Sequence, residues 1–219
     1  MHDLVFDISL SRVRWRLSNL SLLLSLPPFN PSLVATSKCV TLGLDRAEVI
    51  VALGHMLHGV LAKQNLWAFS KASIFTKLSD ARIVVHAAKI ADLFADKFNP
   101  TNPLPLEEVT KRATALRAGI RQSVEDSTTV VLLDKMLEVV EGTYRTNLYM
   151  PDRYSLALRI DPKIMMAPGE NRVQPFGVFF VHGRRFNGFH VRFRDIARGG
   201  LRIVSPPMPE QIAIGTFSF

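Results

Sequence analysis

Near its C-terminal end the sequence brackets two glycines with arginines, in the run Asp195-Ile-Ala-Arg198-Gly199-Gly200-Leu201-Arg202-Ile-Val204. Glycine lets a backbone turn tightly or approach a ligand closely, and a guanidinium beside it can grip a carboxylate through two parallel hydrogen bonds. Just upstream, residues 188–194 alternate as Gly-Phe-His-Val-Arg-Phe-Arg. In a strand this sets Phe189, Val191 and Phe193 on one face and His190, Arg192 and Arg194 on the other. One face suits a core and the other is strongly cationic. Arg198, Gly199 and Gly200 therefore outline an anion site for a carboxylate or phosphate, with Arg192 and Arg202 as further candidates. A solvated strand face followed by an ordinary turn would present the same residues.

Other reactive side chains offer less. His55 and His58 stand three apart, a helical spacing that can hold a metal, but no third ligand is in view and both fit the edge of an apolar face, so no metal is assigned. Cys39 is the single cysteine, which rules out an internal disulfide framework and a cysteine-based metal motif. No histidine and orienting partner can be placed beside it to make a nucleophile. A reducing, intracellular compartment, mitochondrial or cytoplasmic, fits this usage.

The formal charge of +8 is unevenly placed: residues 151–205 hold ten Arg or Lys against four acids. Such a balance suits nucleic acid, an anionic membrane or an acidic small molecule. No nucleic-acid recognition motif accompanies the charge, and the aromatic residues fall on apolar strand faces, so nucleic acid is not expected as a partner. Residues 12–36 imitate a secretory signal, with Arg12, Arg14 and Arg16 before an apolar run that closes on Pro27-Pro28. The run is too short to span a bilayer, and Asp3 and Asp7 precede the arginines. An organellar presequence or an ordinary core segment would also account for it, and no membrane partner is expected.

The elements that must position the candidate residues change character along the chain. Residues 1–44 read as irregular. From Asp45 to residue 143 the apolar spacing is helical. Val49, Leu53, Met56, Leu57, Val60 and Leu61 share a face, with Asp45 as candidate N-cap and Glu48 three residues on. A second helix near 80–98 buries Ile83, Ala87, Ile90 and Phe94 and ends before Pro100. After the proline-rich loop 99–105, a third aligns Val109, Ala113, Leu116 and Ile120. A fourth aligns Val130, Leu133, Leu137 and Val140 before Gly142. From Tyr144 the period falls to two, predicting strands over 155–160, 177–182 and 188–194, with residues 183–187 joining the last two as a hairpin.

The stretch from Phe176 to Val204, Phe-Gly-Val-Phe-Phe-Val-His-Gly-Arg-Arg-Phe-Asn-Gly-Phe-His-Val-Arg-Phe-Arg-Asp-Ile-Ala-Arg-Gly-Gly-Leu-Arg-Ile-Val, resembles the opening of the catalytic region in large NAD-specific glutamate dehydrogenases. Tyr144-Arg-Thr-Asn-Leu-Tyr149 and Leu158-Arg-Ile-Asp-Pro162 are similar to the start of that region, and Phe94-Ala-Asp-Lys-Phe-Asn-Pro100 to a helix end in the family's regulatory part. The resemblance is specific over residues 144–205 and weaker over the helices. It implies that Arg198 contacts the substrate's side-chain carboxylate, with Gly199 and Gly200 shaping the loop. Smaller relatives more often carry lysine at that position, so Arg198 is a departure that would meet the carboxylate with different geometry. Arg202 reads as more structural.

The resemblance further implies oxidative deamination of L-glutamate to 2-oxoglutarate and ammonia by a homo-oligomer that uses NAD. The family's catalytic lysine lies after the Gly-Gly-Leu-Arg block, and no Gly-x-Gly-x-x-Gly occurs in the 219 residues. The chain is therefore expected to be a fragment, inactive alone, with no catalytic residue of its own and no NAD bound to it. The expected fold is mixed α and β: a helical regulatory-type region over 45–143, then the first strands of an incomplete α/β substrate-binding domain over 144–219. A non-catalytic subunit-interaction or regulatory module is the alternative.

Overall fold

The computed structural model describes residues 44–166, 174–183, 187–194, 199–203 and 216–218; for residues 44, 199–203 and 216–218 the description is of the backbone. The N-terminal signal-like run, Cys39 and Arg198 lie outside the described residues.

Among the described residues five α-helices are followed by an antiparallel sheet, the mixed class expected from the sequence. The helices are α1 (Leu44–Leu61), α2 (Lys71–Ser79), α3 (Ala81–Lys97), α4 (Leu106–Ser123) and α5 (Ser127–Gly142). Helix α1 is the central one: Val49, Ile50, Ala52, Leu53, Met56, Leu57, Val60 and Leu61 are all buried. Gly54 lets α2 come close, since a Cβ there would lie 3.1 Å from Leu78 Cδ1 and from the Phe75 ring. Asp45 stands inside the first turn of α1, where a carboxylate complements the helix dipole, and is not the cap.

Three of the remaining helix starts carry side-chain caps. Ser70 accepts from Ser73 N ahead of α2, Asp80 from Arg82 N ahead of α3, and Asp126 from Thr128 N and Thr129 N ahead of α5. Asp80 also ends α2, so one residue closes a helix and opens the next. Ala87, Ile90 and Phe94, then Val109, Ala113 and Ile120, then Leu133, Leu137 and Val140 are buried as the spacing predicts, while Ile83, Leu116 and Val130 pack half-buried at the margin. Helix α2 has no counterpart in the sequence periodicity: nine residues with Ala72, Ile74, Phe75 and Leu78 as their apolar content are too short for a clear period.

Helix α5 passes into strand β1 (Thr143–Thr146) with no loop between them. The carbonyls left free there are collected by Lys97, whose Nζ donates to Val140 O at 2.8 Å, Glu141 O at 2.8 Å and Thr143 O at 2.7 Å. Burial pushes its ammonium down to about 8, opposed by the charge of Glu141.

The sheet continues with β2 (Ser155–Ile160), a 3-10 turn (Pro162–Met165), β3 (Gly177–Gly183), β4 (Asn187–Arg192), β5 (Gly199–Ile203) and β6 (Thr216–Ser218), paired in sequence order. The expected hairpin is present in its pairing: β3 meets β4 antiparallel, with His182 opposite Asn187. Strand β4 closes at Arg192, two residues short of the run read from the alternation. Leu156, Leu158, Ile160, Val178, Phe180 and Phe189 form the inner face, and one buried cluster runs from α1 through the helices to these residues. The change of period expected at Tyr144 falls at the α5–β1 joint.

An ion pair locks the sheet to α1. Arg153, in the turn before β2, places Nη1 at 2.6 Å and Nη2 at 2.7 Å from the two carboxylate oxygens of Glu48, and its Nε donates to Leu148 O at 3.0 Å. The two side chains are only 8% and 11% exposed. Removing one partner of a buried pair leaves a charge without compensation, which costs on the order of 3–5 kcal/mol. Glu48→Gln is therefore expected to lower stability by about that amount in urea unfolding at neutral pH; a loss below about 1 kcal/mol would mean the pair behaves as a surface contact.

Candidate functional site

A row of cationic and aromatic residues lies on the far side of the sheet from α1. Antiparallel register aligns Arg145, Arg159, Phe179, His190, Leu201 and Phe217 across the strands. Alternation along β2 and β3 sends Leu156, Leu158, Ile160, Val178 and Phe180 inward, so Arg159, Phe179 and His190 share the opposite face. The Arg159 guanidinium lies 5.9 Å from the centre of the Phe179 ring, and Phe179 and His190 are 6.1 Å apart, centre to centre. A second cation sits over an aromatic ring at the margin, Arg194 at 4.8 Å from Phe176.

Arg192 ends β4 and is exposed, with Gly177 of β3 and Gly199 of β5 opposite it on either side. Among the described residues no acid pairs with it. Its carbonyl accepts from Phe176 N at 2.8 Å, which prolongs the β3–β4 ladder by one bond. None of the six strands contains an aspartate or glutamate, while β1, β2 and β4 supply Arg145, Arg159, His190 and Arg192. This is a cationic and aromatic surface flanked by strand glycines, able to attract a carboxylate and let it approach the backbone.

Of the residues singled out in the sequence, the structure thus brings Arg192 and Gly199 together. Gly199 and Gly200 do not form the loop they suggested; they are the first two residues of β5, opposite Arg192 and Val191. A Gly-Gly pair resembles a turn because glycine tolerates so many conformations, but here β4 offers the pairing that decides the matter. Arg202 is registered opposite Phe189, in the row that holds Leu158 and Phe180, not in the row of Arg159 and His190. Arg198 lies outside the described residues. His55 and His58 are both on α1; His58 Nδ1 is 3.0 Å from Phe69 O, and His55 is buried. Among the described residues no three potential ligands gather around a metal position. No described helix is long and apolar enough to cross a membrane.

The comparisons with known proteins meet this geometry. Residues 118–206, which contain β1 to β5, match the family described as bacterial NAD-glutamate dehydrogenase, catalytic domain. The NAD-specific glutamate dehydrogenase of Saccharomyces cerevisiae is 40% identical over 98 residues, 44% of this chain and 9% of that protein. Glutamate dehydrogenase 2 of Dictyostelium discoideum is 34% identical over 94 residues, 43% of this chain and 9% of its own length. The Pseudomonas aeruginosa NAD-specific glutamate dehydrogenase is 27% identical over 124 residues, covering 53% of this chain and 8% of that protein. Across about half of its length the chain is similar to NAD-specific glutamate dehydrogenases, and it spans about a tenth of the length of these relatives.

The strand that carries His190 and Arg192 is seated by Phe189, which is 2% exposed and lies 5.0 Å from Phe180, ring centre to centre. Truncating a buried phenylalanine costs about 3–5 kcal/mol, the lost transfer free energy plus the cavity left behind. Phe189→Ala is expected to destabilise the chain by that amount in chemical unfolding, whereas Arg192→Ala, on the exposed end of the same strand, should change stability by less than about 0.5 kcal/mol.

Proposed function

We propose that this chain contributes the substrate-reading strands of an NAD-dependent glutamate dehydrogenase, which oxidatively deaminates L-glutamate to 2-oxoglutarate and ammonia. The observation that carries the reading is the coincidence of the stretch related to the catalytic domain, residues 118–206, with strands that bear cations and no acid. Glutamate and 2-oxoglutarate each carry two carboxylates, which such a surface attracts. Arg198 holds the side-chain carboxylate through paired hydrogen bonds, Gly199 and Gly200 keep the backbone clear of it, and Arg192 adds positive potential. Arg202 has a supporting role. The working enzyme is a homo-oligomer in the mitochondrion or cytoplasm.

NAD belongs to the complete enzyme in this reading. The 219 residues contain no Gly-x-Gly-x-x-Gly, and their described helices do not offer the strand, glycine turn and helix N-terminus that cradle a dinucleotide pyrophosphate. No step is therefore assigned to NAD on this chain. Glutamate-dependent NADH formation by the purified 219-residue chain is expected to stay at the level of a blank. Turnover clearly above that level would show that these residues hold a base and a nucleotide site after all.

The role of Arg198 has its own test in a complete dehydrogenase carrying residues 144–205. Breaking a buried, hydrogen-bonded charge pair costs on the order of 2–5 kcal/mol, so Arg198→Ala should lower kcat/KM for glutamate by more than about thirtyfold. Norvaline lacks the second carboxylate, so its specificity constant should fall far less. Equal losses for both substrates would mean that Arg198 supports the backbone and does not read the substrate.

A further inference from the structure

Between α1 and the β3–β4 hairpin two imidazoles are stacked in the interior. The rings of His55 and His182 are 5.5 Å apart, centre to centre, and 24° from parallel. His55 is 5% exposed, its ring also lies 4.8 Å from that of Phe75 on α2, and its Nδ1 is buried with no hydrogen-bond partner. His182 is partly buried, and its Nδ1 bonds Oδ1 of Asn187, which stands opposite it across the hairpin. Neither the cationic sheet face nor the proposed substrate contacts use this pair.

We propose that His55 and His182 form an acid-sensitive latch, holding the β3–β4 hairpin against α1 while both rings are neutral and releasing it when they take up protons. A protonated His55 would carry a donor at Nδ1 with no acceptor in reach, in a site closed to water. A charge on each ring would set two cations face to face. The neighbours add to this repulsion. His58 lies on α1 itself, Lys71 comes from α2 and Arg153 from the turn before β2, all basic. Glu48 on α1 is the acid that reaches His182, and both of its oxygens are already engaged by Arg153. Asn187 from β4 is uncharged.

Burial holds the His55 ring well below the ordinary histidine range, with His182, Lys71 and His58 pushing the same way. Burial also lowers His182, against the opposing effects of Asn187 and Glu48. Both folded values lie below the unfolded one, so the stability tied to the neutral stack is complete above about pH 6.5 and is lost as the pH falls through that value. The latch therefore opens on the acid side. Because β4 also bears His190 and Arg192, its release would loosen the cationic face from within.

The test uses the 219-residue chain. Its unfolding equilibrium constant, measured by urea at pH 7.5 and 5.5, should rise by roughly tenfold for each ring that stays neutral in the fold one pH unit below 6.5. His55→Phe keeps an aromatic ring against Phe75 and His182 and should remove about tenfold of that rise. An equal rise in wild type and variant overturns the latch. Proton NMR titration of the wild-type imidazoles decides the matter without a variant: His55 is expected to titrate below the ordinary histidine value of about 6.5, and a midpoint at or above that value overturns the proposal.

Discussion

The structure turns on the rotation of α1 about its own axis, and the buried pair between Glu48 and Arg153 fixes it. Charges this enclosed are tolerated only where their geometry is complementary, and here two parallel bonds are joined by a third to Leu148 O. His55 follows Glu48 by seven residues, two helical turns, and so shares its face. The rotation that points Glu48 at Arg153 therefore also delivers His55 to His182. Val49, Ile50, Leu53, Met56, Leu57 and Val60 of the same helix are buried in the common core. A different rotation would lose the ion pair and strand polar groups in the core together.

The charge distribution divides the molecule. Among the helices, acids and bases answer each other at the surface: Arg112 with Asp96 and Glu108, Arg117 with Glu141, Arg121 with Asp134, Lys135 with Glu138. The strands hold only the basic half of such pairs. Among them Arg159 lies over the Phe179 ring and Arg192 reaches into solvent, with Arg194 just beyond β4 over Phe176, which leaves a positive field over one side of the sheet. A ligand with two carboxylates is the complementary object.

Much of this was legible in the sequence because it is local. Periodicity marked α3, α4 and α5 and the strands β2 and β3 to within a few residues, since one buried face imposes its repeat on the chain. The inward Phe189 and outward Arg192 followed from alternation alone. The contacts that join the elements were not legible. Arg153 and Glu48 are 105 residues apart, and Lys97 reaches carbonyls more than 40 residues away. No spacing rule connects such positions, because their meeting is decided by how completed helices pack. His55 and His182 are hidden in the same way, and His55 read in isolation passed for an edge residue. The Gly199-Gly200 pair misled for a different reason: glycine fits a turn and a strand equally, and only the neighbouring β4 selects between them.

The direct passage of α5 into β1 has a mechanical consequence. Sixteen helical residues make a rod of about 24 Å. Its far end is anchored by Asp126, which caps the helix and binds Lys77 of α2, and its near end is clamped by Lys97 where the strand begins. No slack segment lies between them to absorb a displacement. A push on the Asp126 end is transmitted along the axis to the margin of the sheet, so the helical array can act as a lever on the strands without touching any residue of the cationic face.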